Sequence, residues 1–159
     1  MAAPFEDAEA FAAALPAQGA LLGLDPGTKT IGIAISDPGR RIASPLLGLK
    51  KGKFRDNGAA IAKLCADNAV AGLVIGLPLN MDGSAGPKAQ AARAFARNLA
   101  GVVDVPILLW DERLSTAAVT RTLIEADTSR KRRGEVVDKV AAGYILQGAL
   151  DRLSAIGRA

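Results

Sequence analysis

The chain has 159 residues, half of them apolar, enough for one core of ordinary size in a single domain. Its 20 basic residues against 16 acidic ones leave a net charge of +4, a mild excess that suits a polyanionic partner without requiring one. With no histidine and a single cysteine, Cys65, the composition excludes Ser-His-Asp and Cys-His nucleophiles, His-ligated metals, thiolate zinc cages and internal disulfides, and it points to the reducing cytoplasm.

The N-terminal stretch carries Glu6, Asp7 and Glu9 without a basic residue, unlike a signal or transit peptide, and it reads as an extension over residues 1–19 with a short surface helix ending before Pro16. From Leu21 to Asp25 the residues are apolar and strand-like. After the PGTK turn, Ile31, Ile33 and Ile35 alternate with Gly32, Ala34 and Ser36, the period-two signature of a strand that pairs with the first as a hairpin. A third apolar stretch, Ile42 to Leu49, contains Pro45, which marks an edge strand. The period then lengthens over Phe54–Asn68, predicting a helix, and Ala71–Leu77 returns to a buried-type strand. Pro87 opens an alanine-rich helix to Leu99, Val105–Trp110 is a last strand, and Ser115 caps a helix to about Asp127. A basic loop, TSRKRRG, leads to a final helix over roughly Glu135–Leu153. No run is long and apolar enough to span a bilayer.

This order, β-β-β-α-β-α-β-α-α, is that of the ribonuclease H-like fold: a three-stranded meander followed by β-α units, five strands in one mixed α/β sheet over residues 20–159. Right-handed crossovers place the strand at 71–77 beside the first and the strand at 105–110 outside it, so their ends open on one edge, where ligands collect.

Several carboxylates meet at that edge. Asp25 ends the first strand, Asp82 follows the middle one, and Asp111 and Glu112 end the last; spacing alone does not choose between Asp111 and Glu112. The last helix adds Asp138, with Ala141, Ala142 and Ile145 following at helical intervals. Clustered carboxylates repel one another unless divalent cations lie between them, and two such ions about 4 Å apart clamp a scissile phosphodiester without any histidine. All-oxygen ligation selects hard ions, Mg²⁺ or Mn²⁺. Lys29 in the first turn and Arg113 after Glu112 are placed to meet phosphate oxygens, or else are solvated charges. Asn80, Asp82, Gly83 and Ser84 form a polar loop suited to substrate contacts, and equally to plain turn chemistry. Arg130, Lys131, Arg132 and Arg133 are the densest basic run, a phosphate-tracking element if they lie beside the acids. Aromatics are scarce, which argues against base stacking and for recognition of backbone and shape in structured RNA or branched DNA.

The segments GLDPGTKTIGIAISD (23–37), GLPLNMDGS (76–84), DERLST (111–116) and VDKVAAGYILQGALD (137–151), in this order, resemble the YqgF or RuvX family, described as Holliday junction resolvases and as pre-16S rRNA nucleases. The resemblance spans about Leu21 to Leu153. It implies a metal-binding acidic triad on Asp25, Glu112 and Asp138, which selects Glu112 over Asp111, and a cytoplasmic hydrolase acting on pre-16S rRNA or a DNA junction as monomer or homodimer. It also implies that related junction resolvases carry a glutamate at the end of the middle strand, where this chain reads Leu77, Pro78, Leu79 and Asn80. The DPGTKTIG turn is similar as well to the phosphate loop of actin-like ATPases, whose two-domain architecture needs a longer chain. A non-catalytic rRNA-binding assembly factor is the other competing reading.

Overall fold

The computed structural model describes residues 3–114 and 130–157, with residues 130–138 described by their backbone. The strands are β1 (Ala20–Pro26), β2 (Thr30–Ser36), β3 (Ala43–Lys50), β4 (Val70–Leu77) and β5 (Ile107–Asp111). The helices are α1 (Ala8–Ala14), α2 (Phe54–Asp67), α3 (Pro87–Ala100) and α4 (Arg130–Gly157). One five-stranded sheet has the order β3-β2-β1-β4-β5, with β1 antiparallel to β2 and parallel to β4, as the sequence pattern predicts.

Alternation along the strands sorts the core into two layers. On one face Leu22, Leu24, Ile31, Ile33, Leu73 and Ile75 pack against Ile61 of α2 and Ala92, Ala96 and Leu99 of α3. On the other, Leu21, Ala34, Val74, Leu108 and Trp110 pack against Phe11 of α1 and Ala142, Ile145, Leu146 and Ala149 of α4. Each fully buried leucine or isoleucine contributes roughly 1.5–3 kcal/mol by leaving water. Small residues at 141, 142 and 149 let α4 lie close to the strands, and Gly23 is a point of close approach. A Cβ there would sit 2.6 Å from Leu146 Cβ and 3.0 Å from the Ala142 carbonyl oxygen, so only glycine fits.

Two boundaries differ from the sequence-based expectation. Helix α4 starts at Arg130, not Glu135, so Arg130, Lys131, Arg132 and Arg133 form its first turn instead of a loop. Lysine and arginine are good helix formers, and the roughly 1 kcal/mol that Gly134 costs is offset by propagation from the packed turns that follow. Strand β5 starts at Ile107 because Pro106 has no N–H to give, although its carbonyl still accepts from Leu73 N at 2.9 Å. The helix expected from Ser115 to Asp127 lies outside the described residues.

Both rims of the sheet carry features that sequence patterning does not announce. Beyond β5, Phe5 forms a parallel bridge with Leu108, donating from its N–H to the Ile107 carbonyl and accepting from Leu109 N, both at 2.7 Å. Edge strand β3 carries a register shift opposite Ile33 and Ala34, which pair with Leu47 and Pro45, leaving Leu46 as the extra residue.

Candidate active site

Strand β1 delivers Asp25 to the carboxyl edge of the sheet. Position 23 faces α4, so by the two-residue period Asp25 faces the same side, opposite Gly32 of β2. The residue is 5% exposed. Beyond it the chain turns at once, with Gly27 N donating to the Thr30 carbonyl at 3.0 Å and Lys51 Nζ reaching the Gly27 carbonyl at 3.2 Å. Lys29 stands exposed at the tip of this turn.

Strand β5 ends at Asp111, and the backbone tightens into a 3-10 turn over Glu112–Leu114. That turn separates the two neighbouring acids. Asp111 stays at the surface, where Arg113 grips it with Nε at 3.1 Å from both carboxylate oxygens and Nη2 at 2.8 Å from Oδ2. These bonds hold the Asp111 carboxyl below its ordinary pKa. Asp111 also lines a cleft of about 300 Å³ with Glu6, Asp7, Trp110 and Leu114 beside β5. Glu112, in contrast, is buried to 5% exposure and lies over Gly76 of β4. A Cβ on Gly76 would stand 3.1 Å from Glu112 Oε2 and 2.6 Å from Ile145 Cδ1. The missing side chain on the strand between β1 and β5 is therefore the space that the Glu112 carboxylate occupies, on the face covered by α4.

Asp138 occupies the α4 position one turn before Ala142, whose backbone meets Gly23, and two turns before Ile145, which meets Gly76. Its side chain lies outside the described residues, as do those of Arg130, Lys131, Arg132 and Arg133. Among the described residues no three His, Cys, Asp or Glu side chains cluster as a metal site; the acids that share the α4 face at the carboxyl edge are Asp25 and Glu112. The remaining donor chemistry is hard. No histidine exists, and burial on the α2 side of the sheet pushes the Cys65 thiol up to about 11, so a thiolate ligand is absent from this edge.

The polar loop after β4 folds on itself. Asp82 Oδ1 accepts from Ser84 N at 2.9 Å and from the Ser84 hydroxyl at 2.6 Å, while Asn80 Nδ2 donates to Ser84 Oγ at 2.9 Å. Ser84 thereby keeps the Asp82 carboxyl below its ordinary pKa, with Arg113 adding a smaller pull. Arg113 Nη1 donates to the Met81 carbonyl at 3.2 Å, and its guanidinium lies against Gly83, which has a φ of +89°. Arg113 thus ties the 80–84 loop to the end of β5, a positioning role that sequence spacing does not reveal, because the bond runs between segments 32 residues apart.

A family model described as "RuvX: Holliday junction resolvase" matches residues 19–152. The chain is 61% identical over 153 residues to a Cereibacter sphaeroides (strain ATCC 17025 / ATH 2.4.3) protein named "Putative pre-16S rRNA nuclease", with 96% of each chain covered. A Paracoccus denitrificans (strain Pd 1222) protein of the same name is also 61% identical over 153 residues, covering 96% of this chain and 97% of that protein. Among solved structures, T. thermophilus RuvC in complex with Holliday junction substrate matches with a TM-score of 0.51 at 13% identity, over 85% of this chain and 96% of RuvC, a likeness of fold. With its sheet order, its α4 packing and a family match over nearly the whole chain, this protein belongs to the RuvX family, on a ribonuclease H-like fold.

Proposed function

We propose that this chain is a divalent-metal-dependent nuclease that hydrolyses phosphodiester bonds in 5′-end processing of pre-16S rRNA, acting in the cytoplasm. One observation carries the reading: Asp25 of β1 and Glu112 of the turn after β5, on either side of β4, are both buried on the α4 face of the carboxyl edge, with Gly76 making room beside Glu112. Burying two carboxylates together is costly unless cationic charge accompanies them. The donor set, oxygen only, fits Mg²⁺ or Mn²⁺, held by Asp25 and Glu112 with Asp138 as the third ligand in this reading. When bound, such ions polarise the phosphate and lower the pKa of an attacking water.

The chain's own residues supply the framework. Asp25 stands on a strand paired on both sides and Glu112 on a 3-10 turn at the end of β5, so regular backbone positions both residues. Arg113, held by Asp111, keeps the 80–84 loop beside the end of β5. Pre-16S rRNA enters this proposal through the names of relatives 61% identical to the chain. Junction DNA, named by the family model, is the second reading. The end of β4 reads Leu77, Pro78, Leu79 and Asn80, with no acid there, which favours the first.

Cleavage of precursor rRNA and of a four-way DNA junction, assayed side by side with Mg²⁺ and Mn²⁺, tests the proposal. Asp25→Asn, Glu112→Gln and Asp138→Asn should each lower the rate by about 10²-fold or more, since several kcal/mol of charge stabilisation is removed. Cleavage of the junction alone would transfer the function to DNA, and undiminished cleavage in the three variants would refute the site.

A further inference from the structure

Among the described residues, the cations on the two flanks of the site differ in how they are partnered. On the β5 side three of the described arginines are paired: Arg113 with Asp111 at 2.8 Å, Arg93 with Glu6 at 2.9 Å, and Arg152 with Glu9 at 3.5 Å. On the β3 side the chain runs KKGKFR from Lys50 to Arg55, with Asp56 as the acid that follows. Lys50, Lys51, Lys53 and Arg55 are exposed, as is Lys29 in the adjoining turn. Among the described residues none of these five makes an ion pair.

Register links this segment to the site. Asp25 lies opposite Gly32, and Gly32 opposite Gly48, so the three share one row across the sheet. Leu47 and Leu49 pack on the α2 and α3 face, which turns Gly48 and Lys50 to the face that carries Asp25. Two strand spacings of about 4.8 Å and two residues of about 3.4 Å put the Lys50 Cα about 12 Å from that of Asp25. Strand β3 runs parallel to β1, so Lys50 emerges at the same carboxyl edge.

The segment is also held in shape. Lys51 N donates to the Lys29 carbonyl at 2.9 Å, joining it to the turn that follows Asp25. The buried Asn57 accepts from Gly52 N at 2.9 Å and donates to the Lys50 carbonyl at 3.1 Å. Cations presented by a fixed backbone lose less freedom on meeting a polyanion than cations on a mobile one. Ordinary solvated lysines do not require this anchoring.

We infer that Lys29, Lys50, Lys53 and Arg55 form a phosphate-tracking surface for the RNA strand flanking the scissile bond, directing it away from Asp25 across the end of β3. This surface deepens the nuclease reading and rests on it. Contacts to phosphate release counterions, so each steepens the salt dependence of binding by roughly 0.7 for single-stranded nucleic acid.

The test is binding of a short oligouridine, which has no structure of its own, to the full chain in EDTA over a range of salt concentration. The triple variant Lys50→Gln, Lys53→Gln, Arg55→Gln should reduce the slope of log affinity against log salt by about 2. The triple Lys63→Gln, Lys88→Gln, Arg97→Gln removes the same charge from exposed positions on α2 and α3 and should leave the slope within a few tenths of its original value. Equal changes in both triples, or none in the first, would overturn the proposal; circular dichroism confirms that each variant is folded. A chain that binds through this surface but cuts no nucleic acid would refute the nuclease reading alone, whereas one that cuts RNA yet binds equally with and without the three cations would refute this surface alone.

Discussion

Replacing Gly76 by alanine tests whether the space above β4 belongs to Glu112. The new methyl carbon would lie 2.6 Å from Ile145 Cδ1, 3.1 Å from Glu112 Oε2 and 3.3 Å from Glu112 Cδ, where ordinary contact begins near 3.5 Å. Ile145 is fully buried, so its terminal methyl has to turn against a packed core. Overpacking of this kind costs about 1–3 kcal/mol, reduced by about 0.4–1 kcal/mol because alanine restricts the unfolded chain more than glycine does. The net loss of about 1–2 kcal/mol lowers Tm by roughly 2–8 °C at this chain length. Glu112 must also retreat by about half an ångström to restore contact distance. If 1 Å of misplacement costs about 10²-fold, the cleavage rate per folded molecule should fall about 10-fold. Gly72→Ala is the matched control: its methyl would meet Leu15 Cδ2 at 2.7 Å, Phe11 Cζ at 3.1 Å and Leu21 Cδ2 at 3.2 Å, with no acid involved. It should lower Tm similarly while sparing the rate per folded molecule. Thermal melts and single-turnover cleavage read both quantities. A Gly76→Ala enzyme at full rate, or a Gly72→Ala enzyme equally impaired, would refute the argument.

Gly23→Ala should be worse than either, costing about 3 kcal/mol or more, because its methyl meets Leu146 Cβ and the Ala142 backbone, atoms that no rotamer can move aside; a smaller Tm loss than for Gly76→Ala would contradict the packing. The grip of Arg113 depresses the Asp111 pKa, so that pairing stabilises the fold above the ordinary carboxylate value of about 4 and fades as pH falls through the depressed value. Arg113→Gln should accordingly melt a little below the parent at pH 7, with the gap narrowing at about pH 3; an equal gap at both pH values would remove the ion pair as its cause. With its thiol pushed up to about 11, Cys65 should react slowly with iodoacetamide near neutrality, speeding up about tenfold per pH unit while native and jumping on unfolding in urea. Fast native alkylation near neutrality would show that the thiol is not desolvated.

The order of strands and helices is legible in this sequence because its hydrophobic periods change cleanly. Ile31, Ile33 and Ile35 alternate, Phe54–Asp67 does not, and Pro45 marks the rim that β3 occupies. Asp25 is legible for a related reason: a carboxylate ending an apolar strand and followed by Pro26 and Gly27 has to sit at an edge. The choice between Asp111 and Glu112 is not, since alternation assumes a strand that continues, and here it gives way to a 3-10 turn. Nor does spacing announce that Gly76 accommodates Glu112, or that Arg113 reaches the Met81 carbonyl, because each depends on segments brought together only by the crossovers. The start of α4 is misread from sequence because a basic run with a glycine looks like a loop until the packed turns behind it are considered.

The two margins of the sheet carry a consequence for how this protein behaves at high concentration. An unfinished strand invites a neighbour's backbone to zip onto it, the step that seeds fibrils. Here the Phe5 segment already occupies part of one margin, while on the other Pro45 lacks an amide hydrogen and the extra residue at Leu46 breaks the spacing an incoming strand would have to match. Self-templated stacking therefore meets an obstacle at either side.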